Sequence, residues 1–355
     1  MPSSTSSSDI VPVRARPPWA LLASLLAFAA CEALLWSYPP WIGFCARYAP
    51  PYRVSDPLRT SVRIRQLPRH AAQPPVLLIG SSQILEGLDC AAFEARFPSR
   101  VCVNLGIAGG TPLDVLFLEG QIEARVEKRV LVTGLFPQTL HFPPKAAFSD
   151  TRTLRCLFRS RAWLSMTAHE WIETVYGQVQ NLSETLRLKD ALWHMWEVVG
   201  PDPLGALRRE IPAQPPRTLD GRRPLPPTFF QEQIGKVNPE IAPGRFTAAH
   251  EIALEEVIAR EARQGNRIVV IDFPTRWGYE TTITSAAIDQ HRRLVERLAG
   301  WPEVVLVGRN DLPPLEDGDF HDFTHLRPSG REKMSTRLAE ILARAEGTPP
   351  NFSGS

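Results

Sequence analysis

Five short apolar runs, at 76–79, 101–105, 130–133, 268–272 and 304–307, set the pattern of this chain. Each is a β-branched or leucine stretch without polar alternation, as expected of strands buried on both faces. Between them lie segments with helical spacing at 89–97, 112–128, 246–264, 284–299 and 328–345. In 246–264, Leu254, Val257 and Ile258 share one face, and Gly265 closes the helix before the next strand. Strand–helix alternation predicts a five-stranded parallel sheet with right-handed crossovers and helices on both faces, a three-layer α/β sandwich.

Two stretches break this pattern. Residues 145–245 hold helix-like segments with Trp163, Trp171, Trp193 and Trp196, then a proline-rich run from Ile211 to Pro227. An insertion leaving the carboxyl end of the third strand is placed to form a lid or one wall of a cleft. Its tryptophans either cover a sugar or acyl group or form the core of a small helical subdomain.

The other stretch runs from Trp19 to Trp36 and is broken by little except Ser24, Cys31 and Glu32. Its 18 residues sit near the lower limit for crossing a bilayer, with Trp19, Trp36, Tyr38 and Trp41 suited to the interfaces. Arg14 and Arg16 abut its amino end, which predicts a signal anchor with the amino terminus inside. A cleaved signal peptide is the alternative, and Phe28-Ala29-Ala30-Cys31 resembles a bacterial lipoprotein cleavage site. The expected organisation is a cytoplasmic tail at 1–18, a transmembrane anchor at 19–38 and a juxtamembrane linker at 39–73. An α/β domain at 74–346 carries the insertion 145–245, and a frayed tail fills 347–355.

Composition changes this picture little. Apolar content of 43% and charged content of 22% over 355 residues fit a globular chain, and a net charge of +2 gives no reason to expect nucleic acid binding. The 34 prolines cluster at 12–18, 39–57, 137–144 and 201–227 and argue for rigid connections. The five cysteines (31, 45, 90, 102 and 156) have no metal spacing; Cys102, in an apparent strand, reads as core, and one disulfide of unassigned pairing fits an oxidising compartment.

The chemistry gathers at two places. Ile79-Gly80-Ser81-Ser82-Gln83 puts serines where a buried strand ends and a helix-compatible segment starts, so backbone N–H groups stand beside a hydroxyl. Near the carboxyl terminus, Asp322-Phe323-Thr324-His325 precedes a long amphipathic helix. A serine becomes a nucleophile when a base takes its proton, and that base works best when a carboxylate fixes its tautomer. A structural account of the serines is helix capping. A metal site built on His321, Asp322 and His325 is the chemical rival, but no partner cluster stands out elsewhere.

Together these segments resemble the SGNH (GDSL-type) hydrolase superfamily, whose fold is flavodoxin-like. Carried over by position, Gly80-Ser81-Ser82 lies on the family's Gly-Asp-Ser, which implies Ser82 as nucleophile, His325 as base and Asp322 as its orienter. Asn104-Leu105-Gly106-Ile107-Ala108-Gly109-Gly110-Thr111 is similar to the second family block, which implies oxyanion donors at the Ser82 and Gly109 N–H groups. Ser81 replaces the family aspartate, as in some membrane-anchored relatives such as the D-alanyl-lipoteichoic acid biosynthesis proteins. The third block, Gly-x-Asn-Asp, is absent; Thr133-Gly134-Leu135-Phe136-Pro137-Gln138 stands there, with Gln138 as a substitute amide donor.

The resemblance implies a cofactor-free serine esterase or O-acyltransferase at the bacterial inner membrane, facing the periplasm or exterior. It would act on an acylated envelope polysaccharide, glycolipid or teichoic-type polymer, with a membrane-bound acyltransferase as partner. The alternative is a non-catalytic binding or assembly component that keeps the SGNH scaffold.

Overall fold

The computed structural model describes residues 18–37, 60, 63–64, 66–67, 73–140, 158–181, 225, 227–236 and 248–347. In chain order the elements are α1 (Pro18–Ser37), β1 (Val76–Ile79), α2 (Ser82–Gly87), α3 (Cys90–Arg96), β2 (Cys102–Asn104), α4 (Pro112–Glu123) and β3 (Val130–Leu135). They continue as α5 (Ala168–Asn181), α6 (Pro227–Gln233), α7 (Ala248–Arg263), β4 (Arg267–Asp272), α8 (Ser285–Ala299), β5 (Val304–Val307) and α9 (Pro328–Ala345).

The five strands pair in parallel in the order β2-β1-β3-β4-β5. The chain moves outward from β1 to β2, then crosses back to β3. The carboxyl ends of β1 and β3 therefore border the switch point where open α/β sheets hold ligands. Alternate side chains feed the two layers. Val76, Leu78, Val130 and Val132 pack towards α3 and α9, whereas Leu77, Ile79 and Leu131 pack towards α4 and α7. That division explains the unbroken apolar runs, because both faces of each strand are covered.

Local chemistry sets the helix ends. Thr111 and Asp114 form a reciprocal capping box with Pro112 in the first turn of α4. The helix stops at Glu123 instead of running to 128: the chain turns at Ile122–Arg125, and the Arg129 guanidinium donates back to the Val126 carbonyl. Arg129 is itself buried at the foot of β3, with Nε donating to Glu261 Oε1 at 3.1 Å. This ion cluster holds the amino edge of the sheet, opposite the serines.

Three features depart from the expectations. Cys102 is bonded to Cys90 as well as buried, so the disulfide joins the start of α3 to the start of β2. The described part of the 39–73 linker belongs to the folded domain: Thr60, Ile64 and Leu67 are buried, and the Arg63 guanidinium donates to the Asn104 carbonyl at 2.6 Å. β2 is an edge strand, and Arg63 of this segment supplies a partner to the outward-facing Asn104 carbonyl, as Glu94 of α3 does to the Cys102 N–H. Lastly, α1 forms where the anchor was expected, with Trp19, Leu22, Leu25, Leu26 and Phe28 exposed. Among the described residues, however, no helix is long and apolar enough to cross a membrane.

The insertion divides into two described parts. A 3₁₀ turn at Ala162–Ser165 and the start of α5 lie on the α4–α7 layer; Ala162 and Met166 join its core, and Trp163 and Trp171 pack against it. Glu170 lies 3.1 Å from His250 Nε2 of α7, both side chains buried. These two tryptophans therefore serve packing; Trp193 and Trp196 lie outside the described residues. The second part, α6, packs elsewhere and is taken up with the site.

Candidate active site

The turn from β1 to α2 is built around a glycine. Gly80 has φ +145°, a conformation side chains rarely adopt, and a Cβ there would lie 3.0 Å from Ile84 Cγ1. The chain thereby swings from the strand directly into α2, with Ser81 at its N-cap and Ser82 as its first residue. The N–H of Ser82 falls in the first turn, where helices leave donors without internal partners.

The two serines are distinguished by their hydrogen bonds. Ser81 is buried and its hydroxyl donates to Gln83 Oε1. The Ser82 hydroxyl is partly accessible and lies 2.8 Å from His325 Nε2. His325 Nδ1 is 2.7 Å from Asp322 Oδ2. A donating Nδ1–H leaves Nε2 as the acceptor facing Ser82, the tautomer a general base requires.

Asp322 is fixed by its own loop. Its Oδ1 accepts the N–H groups of Thr324 and His325, each at 2.8 Å, and the Thr324 hydroxyl at 3.3 Å. Burial opposes the charged form, but the bond from His325, its charge and the two backbone donors together hold the carboxyl down at about 2. Asp322 is thus ionised at any working pH. The loop is closed at its base by a bridge between Phe320 and Leu326, with the His321 N–H donating to the His325 carbonyl at 2.8 Å.

The loop from Asn104 to Thr111 lies against the same turn. Ile107 N–H donates to the Gly80 carbonyl at 2.8 Å, and a Cβ on Gly110 would sit 2.8 Å from that oxygen. Gly109 is thereby placed beside the β1–α2 turn. Asn104 braces α2 from below, its Nδ2 donating to the Ile84, Leu85 and Leu88 carbonyls at 3.0–3.2 Å. Gln138 occupies a 3₁₀ turn after β3, and its Oε1 accepts the Tyr279 hydroxyl at 3.3 Å. That contact occupies the carbonyl and leaves the amide as the group able to donate.

Sequence reasoning missed the support behind this loop. Phe323, between Asp322 and Thr324, meets Phe230 of α6 edge-on at 5.1 Å. The Arg276 guanidinium lies 3.6 Å over the Phe230 ring and donates to Asp317 Oδ2 at 2.7 Å. Its main-chain N–H donates to the Phe323 carbonyl at 2.9 Å. No short-range pattern marks Phe230 or Arg276. Thr324 was legible, since Asp-x-Thr is the pattern of an Asx turn. As to metals, no group of three or more His, Cys, Asp or Glu side chains among the described residues is arranged to hold one.

Fold and site together define a parallel α/β protein whose sheet edge carries a hydrogen-bonded Ser–His–Asp line. No protein-family model matches the chain, and no curated protein matches it. Among solved structures, one described as "The structure of a putative platelet activating factor from Streptococcus pneumonia" is similar at 12% identity, with a TM-score of 0.37, over 81% of this chain and 92% of that one. A likeness at that level carries no conclusion about activity.

Proposed function

We propose that this chain is a serine esterase or O-acyltransferase of the SGNH type. The observation that carries the reading is the unbroken line from Ser82 Oγ through His325 to Asp322, at 2.8 and 2.7 Å. In the reaction, Ser82 Oγ attacks the acyl carbonyl carbon as its proton passes to His325 Nε2. Asp322 stabilises the imidazolium, and the N–H groups of Ser82 and Gly109, with the Gln138 amide, receive the oxyanion. His325 returns the proton to the departing alcohol, leaving an acyl ester on Ser82. Water or a second hydroxyl then attacks that ester through the same base.

The substrate class is an acyl ester of an envelope polysaccharide, glycolipid or teichoic-type polymer, met outside the cytoplasm, with a membrane-bound acyltransferase as the source of acyl groups. The Cys90–Cys102 disulfide supports an oxidising compartment. The exposed apolar side chains of α1 support attachment to a membrane through the amino-terminal segment. The test compares Ser82→Ala with Ser81→Ala on a small activated ester. Loss in the first variant alone supports the proposal. Full activity in Ser82→Ala moves the nucleophile to another residue and overturns the assignment, and no activity in the folded wild-type protein favours a binding or assembly role for the scaffold.

A further inference from the structure

One large aromatic side chain near the site is used by neither the core nor the proposed chemistry. Trp277 is 82% exposed, in the loop that leaves the carboxyl end of β4. Exposing an indole forgoes the burial that usually makes tryptophan worth placing. A mobile loop would make that exposure uninformative, but this loop is fixed.

Its fixation is specific. The Tyr279 N–H closes the turn onto the Arg276 carbonyl at 3.1 Å, making Trp277 and Gly278 its central residues. Gly278, at φ +89° and ψ −12°, has the conformation required at the third position of a type II turn. Thr281 ties the far side, its N–H and hydroxyl both donating to the Gly278 carbonyl at 3.1 and 2.7 Å. Arg276 ties the near side to the Phe323 carbonyl, one residue from Asp322. Buried Tyr279 packs against Phe323 with ring centroids 6.4 Å apart. The indole is thus presented at the tip of a turn clamped to the loop that carries Asp322 and His325.

We infer that Trp277 is a stacking platform for a pyranose ring of the substrate, a binding subsite on the rim beside Ser82 and His325. A sugar ring offers a flat face of C–H groups, which an open indole covers while hydroxyls stay in water. An acyl chain needs a concave apolar slot instead, because all sides of it shun water. A lone, open aromatic face on a rigid turn suits the first and not the second. Rigidity also lowers the entropy lost on binding. The inference rests on the acyl-ester reading for its substrate, and it names the alcohol side of that ester as a saccharide.

The test uses the full chain with Ser82→Ala, so that ligand is not consumed, and cellotetraose carrying one 6-O-acetyl group. Titration calorimetry should show the dissociation constant rising at least about tenfold when Trp277→Ala is added and about threefold with Trp277→Phe. In the Ser82 protein, kcat/KM on this ester relative to p-nitrophenyl acetate should fall by a similar factor. The exposed position predicts unaltered thermal unfolding, which is checked alongside. An unchanged dissociation constant overturns the subsite, as does a Ser82→Ala protein that does not bind the sugar ester at all. Loss of discrimination among p-nitrophenyl acetate, butyrate and hexanoate, with sugar binding intact, makes Trp277 an acyl contact and overturns it too. If the dissociation constant shifts as expected while no ester is turned over, the subsite stands and the esterase reading falls.

Discussion

The ring of Phe230, from the insertion, meets the ring of Phe323 edge-on at 5.1 Å, and Phe323 is the residue between Asp322 and Thr324. An element expected to form a lid or one wall of a cleft thus packs against the loop that carries the proposed base.

Phe230→Ala is therefore predicted to lower kcat about tenfold on a small activated ester, with KM little changed, because His325 loses its fixed position relative to Ser82. Excising 145–245 should harm small and polymeric substrates alike. Steady-state kinetics with p-nitrophenyl acetate check this. Wild-type kcat in Phe230→Ala would mean that the Asp322–Thr324 turn holds itself.

The Ser82, His325 and Asp322 substitutions should be far from additive. Ser82→Ala and His325→Ala are each expected to cost about 10³-fold or more in kcat, and the double variant hardly more than either. Asp322→Asn should also be severe, since it replaces an acceptor that fixes the imidazole tautomer. Independent losses that multiply would show that the three residues do not act as a unit.

Two buried groups should give stability opposite dependences on pH. Burial, followed by the nearby Glu261 charge, raises the Glu119 carboxyl from 4.5 to about 7. Its folded form holds the proton longer than the unfolded chain, so stability present below pH 4.5 is lost as pH rises through about 7. Burial lowers His291 from 6.5 to about 4, so its folded form sheds the proton earlier and stability is gained between pH 4 and 6.5. Each is worth roughly 3 kcal/mol at about 1.4 kcal/mol per unit, and the two opposite contributions offset each other where their windows overlap. Glu119→Gln should unmask a rising stability from pH 4 to 6.5 in urea unfolding. A flat curve in that variant would contradict the assignment.

The sequence made part of this legible and not the rest, for physical reasons. β1, β3, β4 and β5 stand out because strands covered on both faces have no polar positions to blur them. Ser82, Asp322 and His325 stand out because their chemistry requires strand and loop ends. α2 is six residues long, too short to display a helical period. The Cys90–Cys102 pairing spans 12 residues that carry no spacing motif, and the packing of Ile64 and Leu67 and the contacts of Phe230 with Arg276 arise between separate segments, where no local spacing records them. Trp163 and Trp171 show the reverse: suited by residue type to a ligand, they pack on the core.

Compartment and anchorage are open to one experiment in cells. A reporter active only outside the cytoplasm, fused after Ser355, should be active, and residues 1–30 should persist in the mature protein by mass spectrometry. Cys90→Ser should destabilise the isolated protein by about 2–3 kcal/mol, as expected for opening a short disulfide loop. A lipid-modified Cys31 as first residue would establish the lipoprotein alternative, and an inactive reporter would contradict the topology.

The most direct measurement is reaction of the purified protein with a fluorophosphonate, followed by peptide mass spectrometry. In the proposed mechanism the line from Asp322 through His325 activates the Ser82 oxygen, whereas the buried Ser81 hydroxyl is bound to Gln83. The account predicts one covalent adduct, on Ser82, abolished by His325→Ala in a protein that remains folded. Labelling at another serine, or none in the folded wild-type chain, would contradict it.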